Sequence, residues 1–173
     1  MGYASTTLEN GLTVAALVVV NAFGDVINSN GEIMAGARTG PHALTFSDTW
    51  SSMKQGIQPK QFVVQNTTLG VILTNTRLDK AEARKLAQLG QNALARVMAP
   101  VHTLYDGDIV FALSLGQVEA GLMQVGIVAQ EMLQEAIIRK DYLLFALIEE
   151  MKARGISKQA GPTNCRSCLA YKI

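Results

Sequence analysis

At 173 residues the chain amounts to one domain, or part of a larger one. It is 49% hydrophobic and 17% charged, with a mean hydropathy of +0.19, which is apolar for a soluble protein and sufficient for a sizeable core. The net charge is +1 and both signs are mixed along the sequence, which gives no sign of a nucleic-acid footprint or a polybasic membrane patch.

The N-terminus, Met1-Gly2-Tyr3-Ala4-Ser5, lacks the basic segment and apolar core of a secretory signal. The apolar stretch from Leu12 to Phe23 is shorter than the about 20 residues that span a bilayer. The region from Ile109 to Leu133 is interrupted by Gln117, Glu119, Gln124, Gln130 and Glu131. A cytoplasmic protein is expected.

Residues 12–22 form a nearly continuous, Val-rich apolar run, which reads as a strand buried on both faces. Turn signals at Gly24-Asp25 and Asn28-Ser29-Asn30-Gly31 separate two short hairpin strands, Val26-Ile27 and Glu32 to Ala35. Residues 36–60 read as an irregular loop with a helical turn near Ser47 to Lys54. Gln61 to Gln65 and Thr68 to Thr74 flank Asn66-Thr67 as strand material. Residues 79–98 are the clearest helix: Asp79 and Glu82 form a capping-box pattern, and Leu86, Leu89, Gly90, Ala93, Leu94 and Val97 make an apolar stripe. Pro100 ends it.

Ile109 to Leu115 read as another buried strand, with Asp106 and Asp108 at its N-terminal edge. Helices are expected over 117–139 and about 141–154, and the chain from Ser157 onward reads as a polar tail. The order of elements fits an α/β or α+β layering of helices on a sheet. The expected organisation is a domain over 1–155, divided at the 66/67 junction, followed by a tail over 156–173. Cys165 and Cys168 lie in that tail as a single CxxC, which is half a zinc site, a redox pair or a bland segment; no second CxxC or His pair accompanies it. No P-loop, GxGxxG, HExxH or GxSxG pattern occurs, and no metal or cofactor is expected.

The most informative segment is Asn66-Thr67-Thr68-Leu69-Gly70-Val71-Ile72, with Asp106-Gly107-Asp108 about forty residues later. Asn-Thr-Thr also fits a glycosylation acceptor and a polar turn before a strand. It also fits a self-cleaving bond, although the triplet alone more often marks a turn. A hydroxyl is a weak nucleophile near neutral pH without an adjacent base. If Thr67 Oγ attacked the Asn66 carbonyl, the peptide would shift to an ester and hydrolyse. The freed α-amine of Thr67, with an ordinary pKa of about 7.7–8.0, could then act as that base.

Several segments in one order resemble the L-aminopeptidase/D-esterase family, which includes β-peptidyl aminopeptidases and nylon-oligomer hydrolases. They are Gly11 to Val26, Asn66 to Val71, Leu78 to Ala87 and Pro100 to Leu113, together covering roughly residues 8–137. The wording around Thr67 and Asp106 is most similar to the nylon-oligomer branch. The resemblance implies an α+β fold, part of an N-terminal-nucleophile-like αββα sandwich with sheets between helical layers. It implies a precursor that cuts itself, chains that stay associated, and a homo-oligomer. It implies hydrolysis of a small peptide or amide substrate, with no nucleic acid, membrane or cofactor involved. Residue by residue, Thr67 matches the nucleophile and Asn66 the residue before the cut. Asn21 matches an Asn that stabilises the oxyanion. Asp106 and Asp108 match the pair that orients the nucleophile's amine and relays protons.

The sequence also departs from the family. Family members are usually about twice this long, with an N-terminal portion that supplies strands and an active-site Lys or Tyr. Ala15 stands where the family has a Gly. The alternative expectation is therefore a truncated, catalytically inert relative that acts only as a folded or oligomeric α/β module. A small-molecule-binding α/β domain is a third.

Overall fold

The computed structural model describes residues 1–40, 43–57 and 66–139. In chain order these form β1 (Gly2–Thr7), β2 (Thr13–Val19), β3 (Asp25–Ile27), β4 (Ile33–Ala35), α1 (Thr49–Lys54), β5 (Leu69–Thr76), α2 (Lys80–Val97), β6 (Met98–Ala99), β7 (Ile109–Val118) and α3 (Leu122–Ile138). The fold is α+β. The expected strand at Gln61 to Gln65, the helix near 141–154 and the Cys165/Cys168 pair lie outside the described residues.

The main sheet has the order β1-β2-β5-β7. Its first two pairings are antiparallel and the third, β5 with β7, is parallel. A parallel neighbour cannot be reached by a tight hairpin, and here α2 forms the crossover. Asp79 starts α2 with a complete capping box: its side chain accepts from Glu82 N at 2.8 Å while Glu82 Oε2 accepts from Asp79 N at 2.9 Å. The helix stops at Val97, where Met98–Ala99 pair instead with β3, and a cis Ala99–Pro100 bond follows.

Alternation along the strands sends Val14, Ala16, Val18, Ile72 and Val110 to one face. There they join Leu86, Leu94, Val125, Ala129 and Leu133 of α2 and α3 in the core. Each fully buried Leu or Ile contributes roughly 1.5–3 kcal/mol. Gly90 brings α2 close to the sheet: a Cβ there would lie 2.8 Å from Ile72, 2.9 Å from Val110 and 3.1 Å from Leu133.

The opposite face of the sheet differs from the sequence expectation. Residues 12–22 and 109–115 read as strands buried on both faces, yet the described residues cover only one. Val19, Leu69, Ile109, Phe111, Leu113 and Leu115 are exposed, Leu115 by 62%. Apolarity on both sides of a strand shows that burial is favourable there, not which segment supplies it. Two further differences are local. β1 escapes prediction because it is short and carries small polar residues. Gln117 and Val118 continue β7 rather than opening a helix, and α3 starts only after Gly121.

A small second sheet, β4-β3-β6, flanks the main one. Its anchor is Asp25, 1% exposed, which accepts from Thr49 N (2.7 Å), Thr49 Oγ1 (2.9 Å) and Ala37 N (3.1 Å). One carboxylate thereby ties the loop before α1 to β3.

Candidate active site

The forty-residue spacing between Asn66-Thr67 and Asp106-Gly107-Asp108 is the register of a parallel strand pair. Leu69 lies opposite Ile109, and the same offset continues upstream as a bridge between Asn66 and Asp106. The hydrogen bonds follow it: Asn66 N donates to Tyr105 O (3.3 Å), Gly107 N to Asn66 O (2.8 Å) and Ile109 N to Thr68 O (2.9 Å). On the other side, the β2–β5 register places Val19 opposite Leu69. Two residues further, Thr67 N donates to Asn21 O at 2.8 Å. The chain positions of Asn21, Thr67 and Gly107 thus form one row across three strands.

The peptide joining Asn66 to Thr67 is held at both ends. Its N–H meets the Asn21 carbonyl. Its oxygen accepts from Gly107 N and, at 2.7 Å, from Thr67 Oγ1 itself. The hydroxyl is therefore in contact with the carbonyl that it would attack. Gly107 makes room for it, since a Cβ at that position would lie 3.1 Å from Thr67 Oγ1.

The two carboxylates serve the backbone around this peptide. Asp106 Oδ1 accepts from Phe23 N (2.9 Å), and its Oδ2 accepts from Thr103 Oγ1 (2.7 Å) and Thr103 N (3.2 Å). The Phe23 and Tyr105 rings pack with centroids 4.8 Å apart, so the same two loops also meet through apolar surface. Asp108 Oδ1 accepts from Thr68 N at 2.7 Å, and Thr68 is fully buried.

Asp108 Oδ2 is different. It is buried with no hydrogen-bond partner among the described residues, and lies 3.7 Å from His102 Nδ1. Burial raises the Asp108 carboxyl above the usual Asp value; the Thr68 N–H opposes this, Asp106 adds to it, and His102 opposes it. His102 is half-exposed and adopts a left-handed backbone conformation, with φ of 55°.

All of the residues singled out in the sequence, Asn21, Asn66, Thr67, Asp106 and Asp108, converge at this end of the sheet. Asn21 enters through its main-chain carbonyl. The hydrogen bonds of Asp106 and Asp108 go to Phe23, Thr103 and Thr68. Sequence reasoning missed Gly107, Thr103 and His102. The Thr103-to-Asp106 spacing, suited to a local side-chain turn, was the available signal for the second. Among the described residues no group of three His, Cys, Asp or Glu side chains could hold a metal ion. No helix among them is long and apolar enough to cross a membrane.

Residues 1–153 match the description of peptidase family S58. The chain belongs to that family. It is 38% identical over 131 residues to an uncharacterized aminopeptidase of Mycobacterium leprae, covering 69% of this chain and 33% of the relative. It is 26% identical over 141 residues to a 6-aminohexanoate-oligomer endohydrolase of Paenarthrobacter ureafaciens, covering 72% and 39%. The chain thus spans about a third to two fifths of the length of these relatives. Its structure is similar to the L-aminopeptidase D-Ala-esterase/amidase of Ochrobactrum anthropi, a variant of the Ntn hydrolase fold. That match has a TM-score of 0.55 at 18% identity, over 82% of this chain and 39% of the other. The S58 chain described here therefore carries an α+β portion of the Ntn hydrolase fold.

Proposed function

We propose that this S58 chain is the nucleophile-bearing part of a self-processing amide hydrolase that acts on peptides or short amide oligomers. The observation that carries the reading is the contact of Thr67 Oγ1 with the carbonyl of the preceding residue, on a peptide clamped at both ends. In self-processing, Thr67 Oγ forms a bond to the Asn66 carbonyl carbon and its proton passes to the Thr67 nitrogen as the C–N bond breaks. An ester remains. Water then adds its hydroxyl to the acyl carbon and returns a proton to Oγ, leaving the Asn66 carboxylate and an N-terminal Thr67.

In turnover, the Thr67 amine takes the proton from its own hydroxyl as Oγ attacks a substrate amide. The Asn21 side chain stabilises the oxyanion, and a donor of this kind is typically worth about 10²–10³ in rate. Asp108 lies beside the nucleophile's strand with an oxygen that makes no hydrogen bond among the described residues, and is suited to hold the new ammonium once it forms. Asp106 keeps the loop in register. A homo-oligomer in the cytoplasm is the setting proposed for this activity.

The test is hydrolysis of aminoacyl p-nitroanilides and of 6-aminohexanoate oligomers by the purified chain beside Thr67→Ala. Activity in the parent and none in the variant supports the reading; equal rates in both refute it. A second reading, an inert folded or oligomeric module, is favoured by the exposed apolar face bearing Phe111, Leu113 and Leu115. It predicts no amide hydrolysis at all.

A further inference from the structure

Apart from the Thr67 hydroxyl itself, the hydrogen-bond partners of the Asn66–Thr67 peptide among the described residues are main-chain groups. We infer that self-cleavage is driven by a backbone clamp: Gly107 N–H is the oxyanion donor to the Asn66 carbonyl, and the Asn21 carbonyl is the acceptor for the departing Thr67 nitrogen. This rests on the self-processing reading. It assigns a donor separate from the Asn21 side chain, which is reserved for turnover.

The geometry supports both halves. Gly107 N lies 2.8 Å from the Asn66 oxygen and Thr67 N lies 2.8 Å from the Asn21 oxygen. When Oγ adds to the carbonyl carbon, the oxygen gains negative charge, and the Gly107 hydrogen bond strengthens at that moment. When the nitrogen takes up the hydroxyl proton, before the C–N bond breaks, it is cationic and a stronger donor, so the Asn21 carbonyl binds it more tightly in the tetrahedral intermediate than in the amide. Interactions that tighten toward the transition state are the ones that accelerate a reaction.

The clamp is also preorganised. Gly107 N–H is bracketed in the parallel ladder by the Asn66-to-Tyr105 and Ile109-to-Thr68 bonds, so it cannot turn away as charge develops. Asp106 braces the same turn through Phe23 and Thr103. Glycine at 107 leaves space for the attacking hydroxyl, since an added Cβ would lie 3.1 Å from Thr67 Oγ1.

The experiment is an amide-to-ester exchange. The full chain is translated with glycolic acid in place of Gly107, which replaces the donor N–H by oxygen and adds no atom near Thr67. A control carries the same exchange at Gly121, where the surroundings are open. A third chain carries lactic acid in place of Ala22, which makes the Asn21 carbonyl an ester and a weaker acceptor. Fragment formation is followed by mass spectrometry.

The expected result is cleavage slowed about 10²-fold or more at 107, several-fold at 22 and hardly at all at 121. A parent that cuts itself, with the 107 ester cutting as fast as the 121 ester, would overturn the clamp and leave self-processing intact. A parent that stays uncut would remove the self-processing reading and the clamp with it. An infrared measurement covers the case in which the 107 ester fails to fold. In a Thr67→Ala chain labelled with carbon-13 at the Asn66 carbonyl, the clamp predicts a band lowered by the remaining Gly107 bond. A band at the position of a free carbonyl would overturn it.

Discussion

The main-chain carbonyl of Asn21 lies 2.8 Å from the amide nitrogen of Thr67, just beyond the last paired residues of β2 and β5. The position of the proposed nucleophile is thus fixed by the same ladder that builds the core. Changes that loosen the ends of β2, β5 or β7 should alter self-cleavage without touching Thr67.

Thr103→Val is the first such change. It removes the hydroxyl that donates to Asp106 at 2.7 Å and accepts from Tyr105 N at 3.1 Å, at nearly constant volume. Loss of a hydrogen bond to a charged group should cost about 2 kcal/mol. Thermal unfolding should fall by several degrees and self-cleavage should slow, with both restored by Thr103→Ser. An unchanged melting temperature and rate would mean that the main-chain donors Phe23 N and Thr103 N suffice to hold Asp106.

Asp108 gives a pH prediction. Its carboxyl is raised in the folded state, so its stabilising contribution is fully present below the unfolded value near 3.8 and is lost as pH rises through the folded value. Asp108→Asn keeps the acceptor for Thr68 N but cannot ionise. The stability of the variant relative to the parent should therefore increase from pH 3.5 to pH 7, measured as melting temperature against pH. A difference that does not vary with pH would contradict the assignment.

Gly90→Val probes the contact between α2 and the parallel strands. The new side chain would press on Ile72, Val110 and Leu133, all within 3.1 Å of the added Cβ. Overpacking of this kind should cost about 1–3 kcal/mol, read as a lower urea midpoint with unchanged slope. A midpoint equal to the parent's would show that the sheet can give way there.

The sequence and the structure agree where side chains carry the signal. The capping box of Asp79 and Glu82 and the stripe from Leu86 to Val97 define α2 because both depend on residue type at fixed spacing. The convergence of Asn21, Thr67, Asp106 and Asp108 was visible only through the resemblance, since parallel register is a property of the sheet. Gly107 N–H and the Asn21 carbonyl were not legible at all, because every non-proline residue carries the same main-chain groups. The outer faces of β2 and β7, expected to be buried, are half-covered or exposed among the described residues, because a Val- or Leu-rich strand records the preference and not the partner.

The Asn66–Thr67 bond is proposed to cut itself. The most direct test is the intact mass of the freshly purified chain under denaturing conditions, beside Thr67→Ala. Two fragments divided between residues 66 and 67 are expected in the parent, and a single uncut chain in the variant. One uncut chain in both, after prolonged incubation, would contradict it.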